Sequence, residues 1–330
     1  MSDLTTREIW MFAIFTLTVG VMLYVDLFLV NRGARVMTIK AALIWSAIWI
    51  GTSLLFNVWV YYELGSQKAL EYLTAYLIEK SLSVDNLFVF LVVFAYFGIA
   101  PLYQPRVLRW GIIGAIVMRA ILIVIGVELV EAFNWLLYLF GLILVLTAIR
   151  LLRGMEASVE PGKNRVLQLV SRYLPISPQL HGEKFFVRLR GVLYATPLFA
   201  TMVVIESTDL MFALDSIPAV LGISRDLFIV YTSNIFAILG LRALYFALAG
   251  IIQLFHYLKY SLALILGFIG VKMLIHDFFK IPIEVALGVV FVLLVLAVVA
   301  SILFPAKDKE DALVETVAPH EEDAEATPAN

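Results

Sequence analysis

The sequence predicts a polytopic, all-α bundle of transmembrane helices. Of its 330 residues, 62% are hydrophobic and 15% are charged, whereas soluble domains average about 45–50% apolar and about 25% charged residues. The mean hydropathy is +0.96. Apolar stretches of the length that crosses a bilayer as a helix recur along the chain. Short segments of alternating hydrophobicity, which a transmembrane barrel would need, are absent from the sequence.

Nine apolar stretches are expected to form membrane-spanning helices. They cover residues 8–30, 40–62, 70–97, 106–127, 133–152, 192–222, 227–251, 258–277 and 283–304. The first stretch is too long for the core of a signal peptide, and no small-residue cleavage pattern follows it, so we expect it to be retained as a helix. Residues 1–304 therefore form the predicted membrane domain, which ends with the helix at 283–304.

The distribution of lysine and arginine predicts the orientation of the bundle. The connections at 31–40, 98–109 and 150–191 hold 3, 2 and 8 basic residues, and the alternate connections hold far fewer. Because basic loops remain cytoplasmic, we expect the amino terminus outside and the carboxyl terminus inside. In the cytoplasmic basic loop at 153–191, apolar residues at helical spacing in 166–174 predict a short helix on the membrane surface. A basic loop that simply obeys the orientation rule is the alternative.

The remaining composition excludes several kinds of site. Residues 305–330 hold eight acidic residues and two lysines, which predicts a disordered cytoplasmic tail. The chain contains no cysteine, so thiolate metal sites are excluded, and its four histidines lie in predicted loops, at helix ends or in the tail. No nucleotide-binding motif is present. We expect no tightly bound cofactor, no nucleic-acid partner and no enzymatic activity; an intramembrane aspartyl protease would need a GxGD motif, which is missing.

Two parts of the chain repeat the same landmarks in the same order. The matching positions are Glu79, Asp85 and Asn86 in the third span, and Asp209, Asp215 and Ser216 in the sixth. Similar sequences also surround Arg119 and Arg242. We therefore expect residues 70–152 and 192–277 to be two three-helix repeats. Because three spans separate them, they would cross the bilayer in opposite directions, as in many secondary transporters. Chance similarity between apolar helices is the alternative.

Charged side chains inside the third and sixth spans indicate function, because each costs roughly 2.5–3.5 kcal/mol at the bilayer centre. The acids are Glu79, Asp85, Glu206, Asp209 and Asp215. The intramembrane bases are Lys80, Arg119 and Arg242. If all eight groups share one cavity, one divalent cation or two protons would neutralise the excess negative charge. The alternative is a set of buried structural ion pairs that bind no ligand.

Convergence of these acids requires an irregular helix. On an unbroken helix Glu206, Asp209 and Asp215 point in different directions. Pro218 removes a backbone donor and clashes with the preceding turn, so we expect an interruption of the sixth span there. Unwound backbone that lines a cavity is where such transporters bind cations.

The predicted site offers hard oxygen donors, which suit Mn²⁺, Mg²⁺ or Ca²⁺. The candidate metal ligands are Glu79, Asp85, Asn86, Glu206, Asp209, Asp215 and Ser216. The candidate counter-ions or gating residues are Lys80, Arg119, Arg242 and Asp26. For Asp26, which lies near the cytoplasmic end of the first span, an ordinary interfacial acid is the alternative.

Five motifs, in order, resemble the TerC family of integral membrane proteins and in particular its Alx branch. They are YLIEKSLSVDNLFVF, HGEKFFVRLRGVLYATPLF, ESTDLMFALDSIPAV, TSNIFAILGLRALYF and LKYSLALILGFIGVKMLI. The resemblance covers about residues 19–299 and implies a multi-pass protein of the bacterial cytoplasmic membrane, within the LysE-type transporter group. It also implies an association with manganese export and tellurium resistance. The family's acidic motifs fall on the seven candidate ligands, whereas the acidic tail lies outside the shared pattern.

Two hypotheses of function follow. The first is a secondary transporter that exports Mn²⁺ in exchange for protons, by rocking one repeat against the other around the shared acids. The second is an accessory membrane protein that assists the metallation or insertion of exported proteins without transporting an ion. In that case the basic loop and the acidic tail would serve as docking surfaces.

Overall fold

The computed structural model describes residues 6–25, 38–153, 161–189, 191–248 and 257–303. Asp26 and the acidic segment 305–330 lie outside these ranges, and so does the side chain of Asp85. The predictions made for them therefore stay predictions.

The described residues form eleven α-helices, one 3₁₀ turn and one short β-hairpin. The helices are α1 (Thr6–Tyr24), α2 (Ile39–Leu64), α3 (Ser66–Tyr96), α4 (Gln104–Ala132), α5 (Leu136–Leu152), α6 (Arg165–Tyr173), α7 (Pro197–Leu221), α8 (Leu227–Ile238), α9 (Leu241–Leu248), α10 (Leu258–Leu274) and α11 (Ile283–Leu303). The 3₁₀ turn is Pro161–Lys163, and the antiparallel hairpin joins β1 (Phe186–Leu189) to β2 (Val192–Ala195). The predicted helical class is confirmed, and the hairpin was not predicted. The predicted helical span 192–222 is wrong at its start, because residues 192–195 pair with β1 as strand β2.

Five of the described helical segments are long and apolar enough to cross a bilayer. They are Ile39–Leu64, Gln104–Ala132, Pro197–Leu221, Leu227–Ala247 and Ile283–Leu303. Shorter apolar helices lie at Ile9–Tyr24 and Leu136–Leu152. The 31-residue helix α3 is long enough but carries several charged residues, Glu79 and Lys80 among them. The chain is thus a multi-pass helical membrane protein, whereas the count of nine spans stays a prediction.

Close packing between helices builds the interior. Helix α5 packs against α10, α4 against α7, and α3 against α8. At the contact of α5 with α10, a Cβ atom at Gly141 would lie 2.9 Å from the carbonyl oxygen of Gly270, and one at Gly270 would lie 2.7 Å from that of Gly141. Only glycine allows the two backbones to approach this closely, which is typical of helix contacts within membranes.

The expected interruption at Pro218 is wrong. Helix α7 is continuous from Pro197 to Leu221 and contains Pro218 in its last turn. The N–H of Gly222 donates to the Pro218 carbonyl at 3.0 Å, so the helix ends in a regular manner. Because α7 ends only three residues after the proline, the one backbone hydrogen bond that proline removes does not divide it.

The break lies instead in the predicted span 227–251. Helix α8 ends at Ile238 and α9 begins at Leu241, with Leu239 and Gly240 between them. Gly240 has a φ of 82°, a conformation that favours glycine. A Cβ there would lie 2.8 Å from Cγ of Trp49 on α2, so packing also requires glycine. The sequence contains this glycine, but an isolated glycine does not by itself distinguish a break from a continuous helix.

The long loop after α5 contains the predicted short helix. Helix α6 begins after Asn164, whose side chain accepts a hydrogen bond from the N–H of Leu167 at 2.9 Å. Leu167 is buried, whereas Leu169 and Tyr173 are exposed. The helix is therefore confirmed over the alternative of a plain loop, and its position on the membrane surface stays a prediction.

Candidate functional site

Arg119 on α4 lies at the centre of a buried ion-pair cluster. It is 1% exposed. Its Nη2 and Nε atoms donate to the two carboxylate oxygens of Asp209 on α7 at 3.0 and 3.2 Å. Its Nη1 forms an ion pair with Glu79 on α3 and donates to Oδ1 of Asn234 on α8 at 3.4 Å. This two-point contact with Asp209 is a strong arrangement for a guanidinium and a carboxylate. One guanidinium thus joins four helices.

Helices α3 and α7 run in opposite directions past each other. Asn86 donates from Nδ2 to Oδ1 of Asp209 at 3.2 Å. Ile78 and Ile217 belong to one buried apolar cluster, while Phe90 and Ile205 belong to another. The residue numbers therefore rise along α3 as they fall along α7.

This register also relates Glu79 to Ser216. Glu79 and Asn86 lie seven residues apart on α3, and so do Asp209 and Ser216 on α7. Seven residues are about two helical turns, so each pair shares a face of its helix. Asn86 contacts Asp209, and the antiparallel register then places Glu79 at the level of Ser216. Oε2 of Glu79 and Oγ of Ser216 are both buried without a hydrogen-bond partner among the described residues.

Glu206 lies one turn before Asp209 on α7, against two glycines of α4. A Cβ at Gly114 would lie 2.3 Å from Oε1 of Glu206 and 2.6 Å from its Oε2. A Cβ at Gly111 would lie 3.8 Å from Oε1. Glu206 and Asp209 also line a cavity of about 10 Å³, together with Phe90 and other apolar residues. A space of this size is roughly that of one water molecule. The absence of a side chain at Gly114 therefore makes room for the Glu206 carboxylate.

Asp215 is turned away from this cluster. Its Oδ1 accepts a hydrogen bond from Oγ1 of Thr147 on α5 at 3.5 Å, and its side chain is only partly buried. Because α7 is unbroken, Asp209 and Asp215 keep the different directions that helical geometry gives them. The structure therefore does not bring Asp215 to Arg119.

The other two predicted bases have different surroundings. Lys80 on α3 donates to the carbonyl oxygens of Ala237 and Leu239, at 3.1 and 3.5 Å, where α8 ends. Arg242 is 1% exposed in α9, directly after the break. Both bases thus lie at the α8–α9 break.

The predicted ligands fall into separate groups. Glu79, Asn86 and Asp209 meet around Arg119, Glu206 lies beside them, and Asp215 faces α5. In the part of the chain that the structure describes, no three Asp, Glu or His side chains are placed to hold a metal ion. The proposed metal site therefore stays a prediction, and it would require a different arrangement of these side chains.

Sequence reasoning missed two buried polar residues. One contacts Arg119, and the other forms a separate ion pair on α3. Asn234 is fully buried and contacts Arg119; the signal was the polar triplet at 232–234 in an otherwise apolar span. Glu71 is 8% exposed on α3, and its Oε2 accepts from Nζ of Lys68 at 3.0 Å and from Oγ of Ser224 at 2.6 Å. Its signal was an acid near the start of the charged third span, two turns before Glu79.

Comparison with known proteins identifies relatives along most of the chain. The family described as "Integral membrane protein TerC family" matches residues 64–309. A Salmonella typhi protein named "Putative membrane-bound redox modulator Alx" is 47% identical over 294 residues, which cover 86% of this chain and 91% of the relative. The protein of the same name from Escherichia coli K12 is 47% identical over 291 residues, with the same shares of both chains.

A further relative is named only as a membrane protein. The "Uncharacterized membrane protein" of Rickettsia bellii is 44% identical over 290 residues, covering 88% of this chain and 96% of the relative. No solved structure matches the chain. The family match includes α3, α4 and α7, the helices whose Glu79, Arg119 and Asp209 form the buried cluster. With its helices, its buried ion pairs and these relatives taken together, the chain belongs to the TerC family of integral membrane proteins.

Proposed function

We propose that this protein is a secondary transporter that exports a divalent cation, Mn²⁺, from the cytoplasm in exchange for protons. The observation that carries the proposal is the pairing of two buried carboxylates, Glu79 and Asp209, from two different helices with one guanidinium in the interior of the bundle. Charged groups in such a position are costly, and in membrane proteins they mark ion pathways. A purely structural bundle would be built at lower cost from apolar residues.

The chemistry of the donors favours a hard divalent cation. Glu79 and Asp209 offer carboxylate oxygens, Asn86 offers an amide oxygen after rotation, and Ser216 offers a hydroxyl. Such oxygen donors suit Mn²⁺, Mg²⁺ and Ca²⁺ alike. The resemblance to TerC proteins selects Mn²⁺ among them. The chain has no cysteine, which disfavours soft metal ions.

Arg119 gives the exchange a physical basis. In the described arrangement its guanidinium forms ion pairs with both Glu79 and Asp209, so a single positive charge faces two carboxylates. A divalent cation can bind these carboxylates only when the guanidinium moves away, since the two cations would repel each other. We propose that entry of the metal displaces Arg119, and that protons replace the metal on the carboxylates after release.

Packing between helices supports the two inverted repeats. In the predicted repeat α3 corresponds to α7, α4 to α8–α9 and α5 to α10. When each helix is replaced by its counterpart, the contact of α4 with α7 becomes the contact of α8 with α3, and the structure contains both. Two single-residue contacts are related in the same way. Adding 122 to the residue number takes Val145 to Gly267 and Ala148 to Gly270, and the contact of Val145 with Gly270 thus matches that of Gly267 with Ala148. We propose that the two repeats rock against each other in a bacterial cytoplasmic membrane, with the amino terminus outside.

Purified protein in liposomes tests the proposal. Wild-type protein is expected to carry Mn²⁺ across the membrane, and Glu79→Gln and Asp209→Asn are expected to abolish this flux. Glu128→Gln is the matched control, because Glu128 is an exposed glutamate on α4. Competition by Mg²⁺ and Ca²⁺ measures selectivity. Absence of flux in the wild type would rule out transport, whereas full flux in both acid variants would rule out this site.

A non-transporting accessory role in metal or tellurium stress is the second candidate. Relatives carry the name "redox modulator". The chain contains no cysteine, so it has no thiol of its own for such chemistry, and a redox effect would be exerted through other proteins. Helix α6 presents exposed Leu169 and Tyr173, which could contact a protein that is being metallated or inserted. Robust flux of Mn²⁺ through the purified protein would make a purely accessory role untenable.

A further inference from the structure

The break between α8 and α9 exposes main-chain oxygens in the interior of the bundle. The last carbonyl groups of any helix lack a partner within that helix. Within a membrane, no water is at hand to satisfy them, and each unsatisfied group costs several kcal/mol. Here the break lies in the middle of a segment long enough to span a bilayer, Leu227–Ala247. The carbonyl groups at the end of α8 therefore need a donor from another helix.

Lys80 supplies that donor. Its Nζ lies 3.1 Å from the carbonyl oxygen of Ala237 and 3.5 Å from that of Leu239. Both of these partners are main-chain carbonyl oxygens, and both belong to the carboxyl end of α8, where the helix dipole is negative. The neighbouring Glu79 is paired with Arg119. The ammonium group thus sits where carbonyl oxygens and a helix end attract a single positive charge.

We propose that the carboxyl end of α8, with the carbonyls of Ala237 and Leu239, is a binding site for a small monovalent cation that the chain fills with its own Lys80. Carbonyl oxygens at broken helices are the groups with which membrane transporters bind monovalent cations. An ammonium ion offers the same charge and the same donors as the lysine head group. Na⁺ and K⁺ offer the charge and accept carbonyl oxygens as ligands.

This assignment separates Lys80 from the acidic cluster next to it. Its role is to hold the α8–α9 break, which lies between Asn234 on α8 and Arg242 on α9. The inference concerns binding and stability, so it holds whether or not the protein transports a divalent cation. It also predicts that the wild-type protein needs no external monovalent cation, because its own side chain is always present.

The test replaces the lysine with a neutral side chain and offers free cations. Lys80→Met is purified in detergent, and its melting temperature is followed in increasing NH₄Cl, NaCl or KCl, with N-methyl-D-glucamine chloride keeping the ionic strength constant. Once the site begins to fill, each tenfold increase in a bound cation is expected to raise the melting temperature by about 2–4 °C. Lys272→Met is the matched control, because Lys272 is a partly buried lysine on the continuous helix α10.

Each outcome bears on the proposal. A cation-dependent rise in Lys80→Met alone, with wild type and Lys272→Met unaffected, supports the site. Equal and flat responses in all three proteins overturn it. If Lys80→Met cannot be purified, Lys80→Ala is prepared with and without NH₄Cl during solubilisation. Folded protein recovered only with ammonium supports the site, and recovery that is independent of ammonium overturns it.

Discussion

Gly114→Ala changes one methyl group and is expected to disable the candidate site while leaving the fold intact. Gly114 lies in the interior of α4, where the Glu206 carboxylate packs directly over its Cα atom. The added Cβ would lie 2.3 Å from Oε1 and 2.5 Å from Cδ of Glu206. An unstrained contact needs about 3.5 Å, so the carboxylate must retreat by about 1 Å.

The stability of the variant follows from two opposing contributions. Alanine in a helix is favoured over glycine by roughly 0.5–1 kcal/mol. Overpacking typically costs about 1–3 kcal/mol, and here the displaced group is the end of a flexible side chain. The net loss should therefore stay below about 2.5 kcal/mol. Transport should suffer more, because a displacement of about 1 Å in a functional group can cost about 100-fold in activity. We expect the Mn²⁺ flux to fall about ten- to hundredfold.

The assay compares Mn²⁺ flux in liposomes with unfolding in detergent for the same preparations. Gly111→Ala is the matched control: it lies one turn earlier on α4, and its Cβ would make ordinary contacts of 3.8 Å with Oε1 of Glu206 and 3.6 Å with Ile205. Glu206→Gln is the reference that shows how much Mn²⁺ flux remains when this carboxylate is absent. In the double variant Gly114→Ala with Glu206→Asp, the shorter acid should clear the methyl group and restore part of the flux.

One pattern of results would refute this reasoning. If Gly114→Ala and Gly111→Ala transport equally well while Glu206→Gln is inactive, then Glu206 acts from a position other than the groove over Gly114. If Glu206→Gln also transports normally, Glu206 has no part in the pathway. A folded but inactive Gly114→Ala beside an active Gly111→Ala is the outcome that the packing predicts.

Two further predictions concern stability, measured by denaturant unfolding in detergent. Arg119→Gln leaves two buried carboxylates unpaired and should cost about 3–5 kcal/mol. Adding Asp209→Asn to this variant should recover part of the lost stability. If the two substitutions instead cause additive losses, the ion pair is contradicted. Gly240→Ala must adopt a positive φ and displaces Trp49, so it should cost at least about 2 kcal/mol. Gly288→Ala, with open space around it in α11, should cost nothing; equal stability of these two glycine variants would contradict the strained break.

The sequence predicted the helices well because the signal is carried by composition over long windows. Each of the nine predicted spans contains a helix or, for 227–251, the pair α8 and α9, but the predicted start at residue 192 is wrong because α7 begins at Pro197. Breaks depend on single residues and on packing, and there the prediction went wrong. Pro218 is tolerated because α7 ends soon after it, whereas Gly240 is decisive because Trp49 from a distant part of the chain packs against it.

The sequence predicted only part of the candidate site, because composition shows which residues are charged but packing decides which of them pair. Charge in an apolar span identifies Glu79, Arg119 and Asp209 from the sequence alone, and these three residues meet in the structure. Which base pairs with which acid depends on helix register and on rotation about each axis, which no single-sequence pattern specifies. Asp215 was predicted to join Asp209 through an interruption of the helix, yet it lies on a different face of an unbroken helix and contacts Thr147 instead.

The position of Arg119 determines how an ion could pass. Because α3 and α7 are both held by one guanidinium, neither can move away from α4 without leaving a buried carboxylate unpaired, which would cost several kcal/mol. A ligand shifts such an equilibrium only by binding one arrangement more tightly than the other. A divalent cation that takes over Glu79 and Asp209 meets this condition, since it compensates both carboxylates at once, and two protons on the same groups meet it as well. An exchanger must change conformation when either the metal ion or the protons are bound, and it must resist that change when neither is bound. A buried arginine shared by two helices provides that resistance.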